Sequence, residues 1–137
     1  MSAMSDLEKA VPSVWACLHY RDPRAALAFL TGAFGFTDRA VHAEPGPDGT
    51  IHHAELTWAS ERGEVGGVMF GASDDTARFG AGLVHVVVED PDALCERARA
   101  AGAAIVRGPE DTDYGSRMVV ATDPEGNTWS FGTWHED

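Results

Sequence analysis

Acidic residues outnumber lysines and arginines by 22 to 10 in this 137-residue chain, which gives a formal net charge of −12. This charge argues against a nucleic-acid partner, whose binding depends on basic patches, and no run of 18 apolar residues is present to span a membrane. With 44% hydrophobic residues, the chain can build the core of one domain.

The first ten residues, MSAMSDLEKA, have no apolar stretch behind basic residues. We therefore expect a frayed N-terminal tail over residues 1–10 and no secretory signal. The two cysteines, Cys17 and Cys95, are too few for a disulfide framework, which favours a cytoplasmic protein. We expect both to be inert, with Cys17 a small buried hydrophobe.

The first predicted unit begins with an alternating strand that ends at Asp22-Pro23. Aspartate is a favourable N-cap and proline suits the first helical turn, so an Ala-rich helix should follow and stop near Gly32. Turn residues then separate three strand-like runs, which are GFTDRAV, TIHHAELTWA and VGGVMFG.

The second predicted unit repeats this order, and its Asp90-Pro91 pair lies 68 positions after Asp22-Pro23. Its helix should stop at Gly102. Three strand-like runs follow, AAIVRG, SRMVVAT and NTWSFGTW, and the sequence DPEGN predicts a tight turn between the last two.

A repeat of this length indicates one supersecondary unit used twice. The sequence therefore predicts an α+β fold in which two βαβββ repeats pair their sheets around a shared cleft. We expect one domain over residues 11–137, with units at about 11–75 and 79–137. The alternative is duplicated sheet packing without a ligand.

Strand alternation predicts which side chains face the cleft, because successive side chains point to opposite faces. Leu18, Tyr20 and Trp58 have the parity of the helix-facing core. The opposite parity contains the candidate ligand-binding residues, which are Trp15, His19, His53, Glu55, His85, Ser130 and Trp134. Indole faces attract cations and stack on aromatic groups, although Trp15 and Trp134 could instead fill core or an interface.

The repeated pattern resembles the vicinal oxygen chelate superfamily, which includes glyoxalase I, extradiol dioxygenases and bleomycin-resistance proteins. The similarity is carried by RDPRAALAFLTGAFGF, HAEL, VEDPDALCERARAAGA and, most specifically, DYGSRMVVATDPEGNTWSFGTW. One scaffold in this superfamily serves several chemistries, so the resemblance implies the fold and leaves the function open.

Metal-dependent members of this superfamily place His or Glu on the first strand and Glu on the last strand of each unit. The matching positions here are Trp15, Leu83, Ser130 and Met69. Trp and Leu cannot coordinate, and Ser and Met are poor ligands for the ions concerned. The resemblance therefore implies the scaffold without its usual metal site. An unorthodox divalent-metal site would have to use His53, Glu55 and His85, although a buried histidine is more often satisfied by a hydrogen bond.

Three hypotheses of function follow. The first is a metal-free protein that binds and sequesters a cationic or aromatic, antibiotic-like small molecule, as bleomycin-resistance proteins do. The second is an enzyme, a metal-dependent lyase, isomerase or dioxygenase with a relocated metal site. The third is a domain with no tight ligand, whose cleft is filled by its own side chains.

Two further expectations concern assembly and access to the cleft. Many superfamily members are homodimers, so the resemblance implies a homodimer. The polar stretch at residues 107–115 is expected to be a long loop, which could cover the cleft as a lid.

Overall fold

A computed structural model of the chain describes residues 11–60 and 63–133, so the predicted tail at residues 1–10 lies outside the described residues. The first unit contains β1 (Trp15–Cys17), α1 (Pro23–Phe29), β2 (Thr37–Ala43), β3 (Ile51–Ala59) and β4 (Val65–Phe70). The second unit contains β5 (Leu83–Val87), α2 (Pro91–Ala100), β6 (Ala104–Asp111), β7 (Arg117–Thr122) and β8 (Thr128–Gly132). No helix in these ranges is long and apolar enough to cross a membrane.

Each unit forms its own four-stranded sheet, with strand order β1-β4-β3-β2 in the first and β5-β8-β7-β6 in the second. The first strand of each unit pairs in parallel with the last, and the remaining neighbours are antiparallel. The predicted α+β fold of two βαβββ repeats is confirmed. Strands β1 and β5 each lie at one edge of their sheet, and among the described residues no strand pairs with their outer sides.

Both helices begin where the Asp-Pro pairs predict. The carboxylate of Asp22 accepts a hydrogen bond from the backbone N–H of Ala25, and that of Asp90 accepts one from Ala93, each at 3.0 Å. Each proline occupies the first helical turn, where its missing N–H costs no intrahelical bond.

The predicted end of α1 at Gly32 is wrong. A π-helical turn, Leu30–Phe34, continues the helix to Gly35, whose φ of 88° marks the left-handed residue that ends it. The extension is favoured because Leu30 and Phe34 are fully buried. In addition, the Arg97 guanidinium of α2 donates to the carbonyl oxygens of Thr31 and Gly32, at 3.3 and 3.0 Å.

One core lies between the helices and one face of each sheet. The predicted core parity of Leu18 and Tyr20 is confirmed by their burial, and Trp129 and Phe131 are buried in the same core. Phe34 packs against both Trp129 and Phe131, with ring centroids 5.3 and 4.8 Å apart, so the end of the first helix packs on the second sheet. Cys95 belongs to this core. Cys17 is exposed, however, because its strand parity points it to the open face.

The predicted long loop at residues 107–115 is also wrong. Residues up to Asp111 belong to β6, which pairs with β7. The remaining turn is short, and the backbone N–H of Thr112 donates a hydrogen bond to the carbonyl oxygen of Ser116 at 2.8 Å. β6 is an edge strand, where a proline such as Pro109 is tolerated, and so a polar run that reads as a loop can form a strand there.

Arg117 anchors this hairpin to α2. Its guanidinium donates to both carboxylate oxygens of Asp92, at 2.7 and 2.9 Å, and to Asp111 at 3.0 Å. The hydrogen bonds from Arg117 hold the pKa of Asp92 below its ordinary value. These contacts tie the hairpin to α2, and the lid over the cleft stays a prediction.

The turn at residues 123–127, here called the Asp123 turn, joins the two units. The carboxylate of Asp123 is buried and accepts hydrogen bonds from the Tyr20 hydroxyl at 2.6 Å and the Trp129 indole at 3.1 Å. Asn127 donates to the same carboxylate, and its own side-chain oxygen accepts from Gly82 N–H at 2.7 Å. Burial, followed by the Asp123 charge, raises the pKa of Tyr20 far above its ordinary value.

Removing the Tyr20 hydroxyl should weaken this junction. We expect Tyr20→Phe to lower the free energy of unfolding by about 2 kcal/mol, because a buried carboxylate loses a donor. Urea unfolding should show a lower midpoint with an unchanged slope. The control is Tyr114→Phe, which removes the same atom from an exposed ring. Equal midpoints for the two variants would show that the Tyr20–Asp123 bond does not stabilise the fold.

Candidate functional site

The open faces of the two sheets contain most of the predicted ligand-binding residues, beginning with Trp15 on β1. Its indole ring lies flat across Gly67 of β4, so closely that a Cβ on Gly67 would stand 2.5 Å from the ring. The indole N–H donates to the carbonyl oxygen of Pro12 at 3.1 Å. Trp15 is half-buried, and the glycine beneath it is what allows the ring to lie against the sheet.

His53 and Glu55 form a pair on β3. His53 Nε2 lies 2.9 Å from Glu55 Oε2, and Arg39 Nη1 lies 2.5 Å from Glu55 Oε1. The hydrogen bond with His53, and then that with Arg39, lowers the pKa of Glu55. The carboxylate therefore stays ionised at neutral pH. The His53 ring also stacks on His42 of β2, with centroids 6.2 Å apart.

The second sheet holds a separate pair, His85 and Ser130, which are opposite each other in the parallel β5–β8 register. His85 Nδ1 lies 2.6 Å from Ser130 Oγ. The ring passes over Gly132, where a Cβ would stand 3.3 Å from it. Its Nε2 forms no hydrogen bond with the described protein, so it is available to a ligand.

The predicted residues do not form one cluster. His19 pairs with Ser73 through a 3.1 Å contact at the far end of β1. His53 and Glu55 lie on the first sheet, while His85 and Ser130 lie on the second. Trp134 lies outside the described residues.

A pocket of about 620 Å³, here called the large pocket, lies between the edge strands of the two sheets. Val14, Ala16 and Gly67 line its first-sheet side, and residues 84–87 of β5 line the other. Consecutive residues of β5, which point to opposite faces of the strand, line the large pocket. The pocket therefore lies between the sheets and not on one open face. Of the six predicted ligand-binding residues that the structure describes, His85 lines the large pocket and the other five do not.

The model of the Glyoxalase/Bleomycin resistance protein/Dioxygenase superfamily matches residues 14–131 of this chain. The chain belongs to this superfamily.

Curated relatives of this superfamily member include an uncharacterized protein of Mycobacterium tuberculosis, 32% identical over 124 residues that cover 81% of this chain and 68% of that protein. The anthracycline biosynthesis protein DnrV of Streptomyces peucetius is 30% identical over 129 residues. That match covers 89% of this chain and 46% of DnrV, so the chain spans about half the length of DnrV.

Two solved structures share the fold across nearly the whole chain. TioX from Micromonospora sp. ML1 superposes with a TM-score of 0.70 at 30% identity, covering 90% of this chain and 98% of TioX. TnmS3, an antibiotic binding protein from Streptomyces sp. CB03234, superposes with a TM-score of 0.67 at 25% identity, covering 90% and 97%. Both proteins share the scaffold of this chain, and one of them, TnmS3, binds an antibiotic.

The usual metal site of the superfamily does not fit the donor set of this chain. Trp15 and Leu83 supply no ligand atom, and Ser130 is engaged by His85. Within residues 11–60 and 63–133, no group of three His, Cys, Asp or Glu side chains is placed to hold a metal ion. The alternative set of His53, Glu55 and His85 is divided between two sheets.

Trp58 is a pocket residue that the sequence analysis did not identify. It has the core parity and packs edge-on against Phe36, with centroids 5.2 Å apart, but it is only half-buried. It lines the large pocket and also a second pocket of about 330 Å³, here called the small pocket. Strand parity identifies the face of a side chain, but it does not show where the gap between two sheets leaves that face uncovered.

The Glu55 pair gives a direct test of the site electrostatics. We expect His53→Ala to raise the pKa of Glu55 toward its ordinary value, because the largest stabilising hydrogen bond is lost. Arg39→Ala should raise the pKa of Glu55 less. Carbon-13 NMR titration of the carboxylate measures both.

His52→Ala is the control for this titration, because His52 pairs with Glu44 at 2.8 Å and is not a partner of Glu55. This variant should leave the pKa of Glu55 unchanged. A larger rise in Arg39→Ala than in His53→Ala would reverse the assigned order of causes.

Proposed function

We propose that this superfamily member binds a small, apolar or cationic, antibiotic-like molecule in the large pocket and sequesters it without chemical change. The observation that carries the proposal is the pocket itself. At about 620 Å³ it falls in the range of drug-sized ligand sites, which run from roughly 300 to 1,000 Å³. The similarity to TnmS3 supports the same function.

The lining of the large pocket has the composition of a ligand site. Valine, alanine, phenylalanine and tryptophan side chains provide most of its wall, and His85 and Glu64 provide ionisable groups. Ligand sites usually combine an apolar wall with a few polar groups that orient the ligand. An open pocket of this size also argues against a cleft filled by its own side chains.

The overall charge supports a cationic ligand. The net charge of −12 would draw cations toward the protein over a distance limited by salt screening.

The proposal extends to the setting of the protein. We place it in the cytoplasm as a homodimer, in which a second copy would cover exposed apolar side chains such as Leu83. A gel-filtration mass near one chain would contradict the dimer.

Filling the large pocket should weaken binding. Gly66 lines it, and a Cβ there would meet nothing within 4 Å, so a larger side chain can enter without a clash. We expect Gly66→Phe to weaken the binding of an anthracycline, measured by calorimetry, about tenfold or more, which corresponds to roughly 1.4 kcal/mol.

Two controls accompany this variant. Gly66→Ala should leave most of the affinity, because one methyl group occupies little of the pocket. Val106→Phe adds a ring at an exposed position on β6 that does not line the large pocket. Unchanged affinity in Gly66→Phe would place the ligand elsewhere.

The metal-dependent alternative, a lyase, isomerase or dioxygenase, makes a different prediction. After chelator treatment, we expect Zn²⁺, Ni²⁺, Mn²⁺ and Fe²⁺ to leave no stoichiometric ion on the protein and no specific rise in melting temperature, since a bound ligand must stabilise the native state. One tightly bound ion per chain, lost in His53→Ala or Glu55→Ala, would overturn the metal-free proposal.

A further inference from the structure

The large and small pockets adjoin. Both are lined by Trp58, Ser60 and Val87, so these three residues form a shared wall. The small pocket continues from this wall toward the start of α2, where it is lined by Glu89, Asp90 and Arg97. One molecule with two parts can therefore reach both pockets by passing Trp58.

Trp58 presents a free hydrogen-bond donor at this wall. Its indole N–H makes no hydrogen bond with residues 11–60 or 63–133, and no side-chain nitrogen or oxygen in these ranges is both buried and unpaired. The Trp58 N–H is therefore accessible. An accessible indole N–H can donate to an acceptor oxygen of a bound ligand in place of water.

Two acidic side chains, Glu89 and Asp90, and one basic side chain, Arg97, line the small pocket, so its lining is acidic on balance. Arg97 is held by the carbonyl oxygens of Thr31 and Gly32, and the Asp90 carboxylate caps α2 by accepting from Ala93. Glu89 is exposed and forms no hydrogen bond or ion pair with described residues. The small pocket therefore favours a positive group over a negative one.

We infer that the ligand is bipartite: a flat apolar body occupies the large pocket, an acceptor oxygen faces Trp58, and a basic amine enters the small pocket beside Glu89. This inference rests on the proposed function and specifies the class of ligand. It assigns Trp58 and Glu89 as specificity-determining residues. Trp58 has the core parity, whereas Glu89 shares the cleft-facing parity of His85.

The amine is tested with two forms of one probe, an anthracycline with a free amino sugar and the same compound N-acylated to remove the charge. The wild-type protein should bind the free amine about fivefold more tightly, the upper range for a partly exposed ion pair. Glu89→Gln should remove this preference and leave the affinity for the acylated form unchanged. Glu96→Gln is the matched control, because it makes the same charge change on an exposed residue of α2 that lines neither pocket.

Trp58 is tested by Trp58→Phe, which keeps an aromatic wall and removes the N–H. It should weaken both forms of the probe by the same factor, about fivefold, because the acceptor oxygen is common to them. Gly66→Phe separates the two levels of the proposal. Equal wild-type affinity for the two forms, with Gly66→Phe still weakening both, overturns the bipartite ligand alone. Binding that Gly66→Phe does not weaken overturns the proposed function as well.

Discussion

The carboxylate of Asp123 is 4% exposed and accepts hydrogen bonds from Tyr20, Trp129 and the Asp123 turn itself. A buried charge is tolerated only when donors surround it, and here the donors come from both repeats. Glu125 of the same turn accepts from the backbone N–H groups of Arg21 and Asp22, at 2.6 and 2.8 Å. One turn of the second unit thus fixes the end of β1 and the start of α1, and with them the spacing of the edge strands that border the large pocket.

The equivalent junction, where the residues after β5 meet the residues after β3 of the first unit, is different. With Asp22 aligned on Asp90, Tyr20 corresponds to Val88, which has no hydroxyl to donate. Val88 follows β5 and lines the small pocket. Ser60, which follows β3, lines the same pocket. Among the described residues, a polar network therefore joins the two units at one junction, and the small pocket lies at the other. The asymmetry between two similar units creates the space into which we place the amine of the ligand.

The sequence predicts much of this architecture because its signals are local. The Asp-Pro pairs identify both helix starts, alternation assigns the core face, and DPEGN identifies the last turn. What the sequence misses depends on contacts between the units. The extension of α1 past Gly32 needs Arg97 of α2, and β6 includes a polar run because it is paired along one edge. The exposure of Cys17 shows that even correct parity does not reveal which face remains open.

The candidate site was predictable only in part for the same reason. Parity correctly places His53 with Glu55 and His85 opposite Ser130, but a cleft between two sheets is lined from both sides of each strand. Trp58 has the parity of a core residue and still reaches two pockets, because the shared core does not fill the gap beside β5. In a fold made of two joined repeats, the junction between them combines side chains of opposite parity. A search for pocket residues confined to the open faces therefore misses Trp58.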